Sequence, residues 1–167
     1  IQDAMDSFSN VANISFSETN NYDISNIRWA SLDTEGSNIL LNTSGKDILG
    51  VAILPIEVAG DYAGIATVNY EAYDPYNSIA LNPGSFYYSI FLHELGHALG
   101  LGHPHHNNEY YGTFPGVSNG APYDAGDNNL NSSPWTVMTY NFHDSNVGLT
   151  PSVEDFSGFN TSLGAFD

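Results

Sequence analysis

The stretch HELGHALGLGHP, residues 93–104, constrains this chain more than any other, because it holds three of the six histidines. His93 and His97 are four residues apart, so a helix places them one turn apart on one face, with Cβ atoms about 5–6 Å from each other. Two imidazoles in that arrangement can bind one metal ion. A straight helix would carry His103 roughly 15 Å along the axis from His93. The chain must therefore turn back if all three imidazoles are to meet.

Gly100 supplies the means for that turn. Glycine adopts the left-handed backbone conformation without a Cβ clash, so we predict that the helix ends there and that His103 returns as the third ligand. Three neutral imidazoles with an open fourth position are typical of catalytic zinc, although iron and copper bind such ligands too. The alternative, that these are ordinary core or surface histidines, requires all the fixed positions of HExxHxxGxxH to coincide by chance. We therefore predict a zinc site.

Glu94 lies beside the predicted ligands on the same helix. From there its carboxylate can reach a water molecule on the metal without binding the metal itself. An open zinc site lowers the pKa of its water from about 15.7 to about 7. A neighbouring carboxylate can take that proton and pass it to a leaving amine. The pattern indicates hydrolysis of a peptide bond, with Glu94 as the general base.

The charge and composition of the chain exclude several classes of partner and chemistry. Nineteen acidic residues face two basic ones, Arg28 and Lys46, and the formal net charge is −17. Such a surface repels nucleic acid and anionic membranes, so we expect neither as a partner, and it attracts cations such as calcium. Cysteine is absent, which excludes disulfides, thiolate ligands and a cysteine nucleophile. The sequence has neither an apolar run that could span a membrane nor a recognisable signal peptide.

Hydrophobic periodicity predicts a mixed set of helices and strands. We predict helices over 1–12 and 85–101, the second with Ser85 as its N-cap, and strands over 13–18, 27–33, 50–55 and 64–73. We expect the apolar run 38–42 to lead into a loop. The segment 105–133 has little periodicity and is expected to be a long functional loop. This order favours an α+β domain of two lobes with a cleft between them.

The motif HELGHALGLGH resembles the zinc signature of the metzincin metalloendopeptidases. That clan also has a Met-turn, a tight turn whose methionine lies beneath the zinc ligands, and TVMTY offers Met138 for it. The serralysin-like branch is the closer match. A proline follows its third histidine, as Pro104 does here, and its turn reads Met-Ser-Tyr where this chain has Met-Thr-Tyr at 138–140. The segments 11–18 and 82–104 are similar to that branch as well.

The resemblance implies an α+β, two-lobe, metzincin-like fold, with a twisted mixed sheet and the active-site helix above and an irregular lower lobe with the Met-turn below. We expect one catalytic domain over residues 1–167, with an upper lobe at 1–103 and a lower lobe at 104–167. The glycine-rich calcium-binding repeats that usually follow in serralysins are absent. The chain starts within the family's first helix and stops where its last helix would begin, so we expect a fragment truncated at both ends.

The resemblance also implies a secreted zinc endopeptidase that cleaves internal peptide bonds, with zinc bound by His93, His97 and His103. It makes Tyr140 a further, weak zinc ligand that swings to hydrogen-bond the tetrahedral intermediate; the alternative is an ordinary tyrosine at the rim. Peptide or protein substrates would bind in extended form along an edge strand, for which 64–70 is the candidate by its position before the helix. We expect a monomer.

Three points stay open in the sequence. His105 and His106 are either solvated loop residues or ligands of a second metal. An Asx-rich cluster either wraps a calcium ion or forms ordinary turns; its members are Asp124, Asp127, Asn128, Asn129 and Asn131. Two other functions compete with the peptidase. One is a zinc-holding, peptide-binding module that no longer cuts, which would be marked by loss of the glutamate. The other is a calcium-stabilised adhesive or structural fragment that works without zinc.

Overall fold

The computed structural model describes residues 1–44, 48–72, 81–142 and 158–167, and the secondary structure of these ranges is of the predicted α+β class. The helices are α1 (Gln2–Ser9), α2 (Thr34–Leu40) and α3 (Phe86–Ala98), and the strands are β1 (Arg28–Leu32), β2 (Gly50–Ala52) and β3 (Ile65–Asn69). Short 3-10 helices cover Tyr22–Ile24, Glu57–Tyr62 and Asp127–Asn129. None of the helices in these ranges has the length and apolar character needed to cross a membrane.

The three strands form one mixed sheet with the order β1-β3-β2. β3 runs parallel to β1, with Arg28 opposite Ile65, and antiparallel to β2, with Val51 opposite Thr67. β3 is therefore the central strand, and its backbone groups are used on both sides. The prediction that a peptide binds along 64–70 as an edge strand is wrong for that reason. β2 pairs on one side only within the described ranges.

α3 is buried along most of its length and positions the site. It begins at the predicted N-cap, because the Ser85 Oγ accepts a hydrogen bond from the Tyr88 N–H at 3.1 Å. Leu92 and Leu95 are fully buried in a cluster shared with α1 and with Met138. Burial of each leucine contributes about 1.5–3 kcal/mol to stability. The apolar faces thus fix the rotation of the helix, and with it the direction of its histidines.

α3 ends at Ala98, and the predicted reversal lies just beyond it at Gly100, where φ is +105°. The Leu101 N–H donates to the Gly96 carbonyl and the Gly100 N–H to the His97 carbonyl, both at 2.9 Å. These are the paired bonds of a Schellman motif, which needs a left-handed residue after the cap. The chain leaves the helix there and turns back towards it.

Beneath α3, the segment 136–138 is held by the carboxylate of Asp167. This carboxylate accepts hydrogen bonds from the Val137 N–H and the Gly164 N–H at 2.8 Å each, and another from the Thr136 hydroxyl. Burial raises the pKa of Asp167, and the hydrogen bonds to it oppose that rise. The anchored segment carries Met138, which is 2% exposed, into the core below the helix.

Several elements differ from the predictions. No strand forms at 13–18, and α2 occupies 34–40, a helix that the sequence does not predict; it includes the start of the apolar run 38–42, which we expected only to lead into a loop. α2 begins because the Asp33 carboxylate caps it through the Gly36 N–H at 2.7 Å. It buries Ser37 and Asn38 and leaves Ile39 70% exposed. The helix therefore lacks the buried apolar face by which an amphipathic helix is recognised in a sequence. Both predicted helices and the strands are shorter than predicted, and the last residue of the predicted strand 64–73 lies outside the described ranges.

Candidate metal centre and active site

The structure brings the three motif histidines together around one point. The Nε2 atom of His103 lies 3.1 Å from that of His93 and 3.0 Å from that of His97. Ligands on a tetrahedral zinc ion, with bonds of about 2.0–2.1 Å, are about 3.3–3.4 Å apart. His103 is therefore spaced from each helical histidine almost as one ion requires, and ligand atoms of all three lie within 4.8 Å of one another. His93 and His97 are buried, and His103 is half-buried on the side open to solvent.

The second nitrogen of each helical histidine is held by a backbone carbonyl. The Nδ1–H of His93 donates to the Val137 carbonyl, and that of His97 to the Leu101 carbonyl, each at 2.8 Å. These bonds put the proton on Nδ1 and leave Nε2 as a free lone pair, the arrangement found in metal-ligating histidines. The turn at Gly100 supplies one of these acceptors, since Leu101 follows it directly.

Burial keeps the histidines neutral. It lowers the pKa of His93 to about 3 and lowers those of His97 and His103 as well, because a charged imidazolium is disfavoured away from water. Metal ions bind the neutral imidazole, so protons compete weakly for these ligands. The donor set fits the zinc ion that the sequence predicts.

Glu94 lies at the interface between α3 and β2. It is 6% exposed, and burial raises the pKa of its carboxyl to about 8. A bound dication would act against that rise. A Cβ atom at Gly50 would come within 2.6 Å of the Glu94 Cγ and 2.7 Å of Oε1. Gly50 therefore makes room for the glutamate, a role that the sequence analysis missed, although a glycine within a strand often marks a close approach.

Met138 and Tyr140 occupy the floor and the rim of the site. A Cβ at Gly96 would come within 2.5 Å of the Met138 Sδ. The methionine therefore lies directly against the helix, at a position between His93 and His97. The ring of Tyr140 is 4.8 Å from that of His103 and 5.7 Å from that of His93, centroid to centroid. Burial and the charge of Glu94 raise the pKa of its phenol to about 12. Tyr140 remains protonated at neutral pH, beside the histidines.

Of the remaining candidates, His105 and His106 lie next to this centre. His105 is 4% exposed, so the prediction of a solvated residue does not hold for it, whereas His106 is exposed. In the Asx-rich cluster, the Asp124 carboxylate accepts hydrogen bonds from the Ser118 and Gly126 N–H groups at 2.9 and 3.1 Å. A hydrogen bond from the Ser118 side chain, together with these two backbone bonds, lowers the pKa of Asp124. The bond from Gly126, two residues on, is that of an Asx-turn and favours the alternative of an ordinary turn.

Comparison with known families agrees with this geometry. The sequence model of the matrixins, peptidase family M10, matches residues 1–115, which is more than half of the chain and includes the three histidines and Glu94. The chain belongs to the matrixin family. No curated protein matches the sequence. As a matrixin the protein is a zinc-dependent endopeptidase, and the cluster of His93, His97 and His103 fits the zinc of that family.

The first prediction concerns the backbone reversal. Gly100→Ala should weaken zinc affinity at least tenfold, because alanine is strained at a φ of +105° and the turn that returns His103 must shift. A chelator competition assay measures the affinity. Gly60→Ala is the matched control, because Gly60 also has a positive φ, +53°, and a Cβ there meets nothing within 4 Å. It should lower stability and leave zinc affinity intact; equal loss of affinity in both variants would contradict the assignment.

The second prediction concerns pH. A histidine with an ordinary pKa of about 6.5 would lose roughly 25-fold in metal affinity between pH 7 and pH 5 through proton competition. With the pKa of His93 lowered to about 3, that ligand stays neutral over the whole interval. We therefore expect zinc affinity to fall by much less than 25-fold per histidine when the pH is lowered from 7 to 5. Equilibrium dialysis at both pH values measures the zinc affinity. A fall of roughly 25-fold for each histidine would show that the ligands are solvated.

Proposed function

We propose that this matrixin is a secreted endopeptidase of the serralysin-like branch that hydrolyses internal peptide bonds, with zinc on His93, His97 and His103 and with Glu94 as the general base. The observation that carries the proposal is the convergence of three imidazoles, with the His103 Nε2 3.1 Å from that of His93 and 3.0 Å from that of His97, beside a buried carboxyl group. Zinc supplies Lewis acidity there when bound, polarising a carbonyl and acidifying water.

Glu94 would move the proton. Its carboxylate takes a proton from the attacking water and delivers it to the nitrogen of the departing amine. Burial favours its protonated form, which makes the group a better proton acceptor than an exposed glutamate. Contact with Gly50 limits where the side chain can move. An intact, buried and confined Glu94 argues against the rival reading as a binding module that no longer cuts.

Tyr140 would assist as a hydrogen-bond donor. A phenol with a pKa of about 12 keeps its proton at neutral pH and can donate it to a developing oxyanion. Its ring lies against His93 and His103, at 38% exposure, on the solvent side of the site. Its part as an extra weak zinc ligand remains a prediction from the family resemblance.

The substrate peptide would pair with β2, and this replaces the earlier prediction of 64–70. β2 is the antiparallel strand at one side of the described sheet, and its first residue, Gly50, lies against Glu94. A peptide paired with that edge would have one of its peptide bonds next to the Glu94 carboxyl group. Main-chain pairing of this kind binds peptides of many sequences.

Other features of the proposal rest on sequence. Pro104 and the run Met138-Thr139-Tyr140 support the serralysin-like branch. Secretion, a monomeric state, the division into lobes at residue 103 and a calcium ion near residues 124–131 stay predictions. The net charge of −17 is compatible with a calcium-rich medium and with basic or neutral substrates. Because catalysis would need zinc, the assay below also tests the rival reading as a calcium-stabilised structural fragment.

The third prediction concerns the general base. Glu94→Gln should lower kcat/KM for casein by about 10²–10⁴-fold while zinc stays bound, since the amide cannot accept the proton. A casein cleavage assay with zinc content measured in parallel checks it. Chelation should abolish cleavage by the native chain, and added zinc should restore it. Glu57→Gln, an exposed change, is the control and should cut like the native chain. Undiminished cleavage by Glu94→Gln would rule out this mechanism.

The fourth prediction concerns Gly50. Gly50→Ala should lower kcat/KM tenfold or more with zinc content unchanged, because the new Cβ overlaps the Glu94 side chain. Gly112→Ala is the matched control, since a Cβ at Gly112 meets nothing within 4 Å. This variant should leave cleavage unchanged. The same casein assay compares them. If Gly50→Ala cuts at the native rate, β2 does not confine the glutamate.

A further inference from the structure

We propose that His103, His105 and His106 form a second site for a divalent transition-metal ion, and that His103 is shared between this site and the catalytic one. One ring nitrogen from each of the three lies within 4.8 Å of the others. The proposal goes beyond the peptidase function, although the shared ring ties it to the zinc site proposed above. The site lies in the run His-Pro-His-His that follows the helical motif.

The two nitrogens of His103 face different neighbours. Its Nε2 is directed to His93 and His97, whereas its Nδ1 lies 3.3 Å from the Nδ1 of His106. That separation is close to the 3.3–3.4 Å, roughly, between two ligands of one tetrahedral zinc ion. Without an ion, a single hydrogen joins the two Nδ1 atoms. The contact has the spacing of a ligand pair, and it uses the face of His103 that the catalytic ion leaves free.

His105 supplies the independent observation. It is 4% exposed, and within the described ranges its Nδ1 is buried without a hydrogen-bond partner. Buried polar atoms in native proteins almost always have a partner, so an orphan nitrogen calls for one. The ring stacks on His103, with centroids 5.0 Å apart, and its centroid is 4.4 Å from that of His106. A metal ion among the three rings would satisfy that nitrogen.

The backbone holds the three rings in place. The His106 N–H donates to the His103 carbonyl at 3.1 Å, and the Gly120 N–H donates to the His105 carbonyl at 2.7 Å. The Phe114 N–H donates to the carbonyl of the buried Pro104 at 2.9 Å. The turn is thus closed by its own hydrogen bond and tied to the following loop at Pro104 and His105. Such a preformed site does not need to order its ligands when an ion binds.

The ligand chemistry selects the ion. Neutral imidazoles suit zinc, copper and nickel, whereas calcium and magnesium prefer oxygen ligands. The exposed His106 opens the site to solvent, and the net charge of −17 concentrates cations near the surface. When the ion binds, it replaces the hydrogen between the two Nδ1 atoms, which leaves as a proton to solvent. His103 then joins the two ions through its ring.

Zinc titration of the metal-free full chain tests the proposal, with calorimetry and metal counting after gel filtration. We expect two ions per chain, the second bound more weakly. His106→Ala should keep one and weaken the second at least tenfold. Asn107→Ala, an exposed change next to it, should keep both. One ion in the native chain, or two tight ions in His106→Ala, overturns the second site. No zinc at all would instead overturn the catalytic site proposed above.

A second measurement remains decisive if His106→Ala fails to fold. The native chain is first loaded with one zinc ion and then given one equivalent of Cu²⁺, and its electron paramagnetic resonance spectrum is recorded. Copper in the proposed site shows hyperfine coupling to imidazole nitrogens, and His105→Gln reduces the number of coupled nitrogens. Copper with oxygen ligands only, or a spectrum unchanged in His105→Gln, contradicts the assignment.

Discussion

The reversal of the backbone at Gly100 is the constraint on which the site depends. Two histidines one turn apart on α3 can only form one side of a coordination sphere, and the third ligand must come from outside the helix. The left-handed residue at Gly100, with φ of +105°, closes the helix and returns His103 to within 3.1 Å of both helical ligands. The same turn directs the Leu101 carbonyl to the Nδ1–H of His97. One glycine therefore places a ligand and orients another.

Close contacts at two other glycines connect the helix to its surroundings. Because Gly96 has no side chain, the Met138 sulfur packs directly against the helix. Because Gly50 has none, the Glu94 side chain packs directly against the sheet. The helix is thus fixed between the sheet and the segment 136–138, which Asp167 holds. Burial of the site follows from these contacts. The resulting loss of hydration keeps the histidines neutral, as metal binding requires, and raises the pKa of Glu94.

The sequence predicts the parts of this structure that local rules control. The spacing of His93 and His97, the Ser85 cap and the stop at Gly100 are all properties of a few neighbouring residues. Strand order is not: β2 has three residues, and nothing in its sequence indicates that it pairs beside 65–69 and makes that strand central. α2 was missed because its buried residues are polar. The contact of Gly50 with Glu94 joins segments far apart in the chain, which periodicity cannot connect.

Diffraction data collected at the zinc absorption edge, from crystals of the chain loaded with one equivalent of zinc, test the central claim most directly. We expect one anomalous peak about 2.0–2.1 Å from the Nε2 atoms of His93, His97 and His103, with the fourth position open to solvent. A peak bound by only the two helical histidines, with His103 turned away, would contradict the role of the Gly100 reversal and the active site built on it.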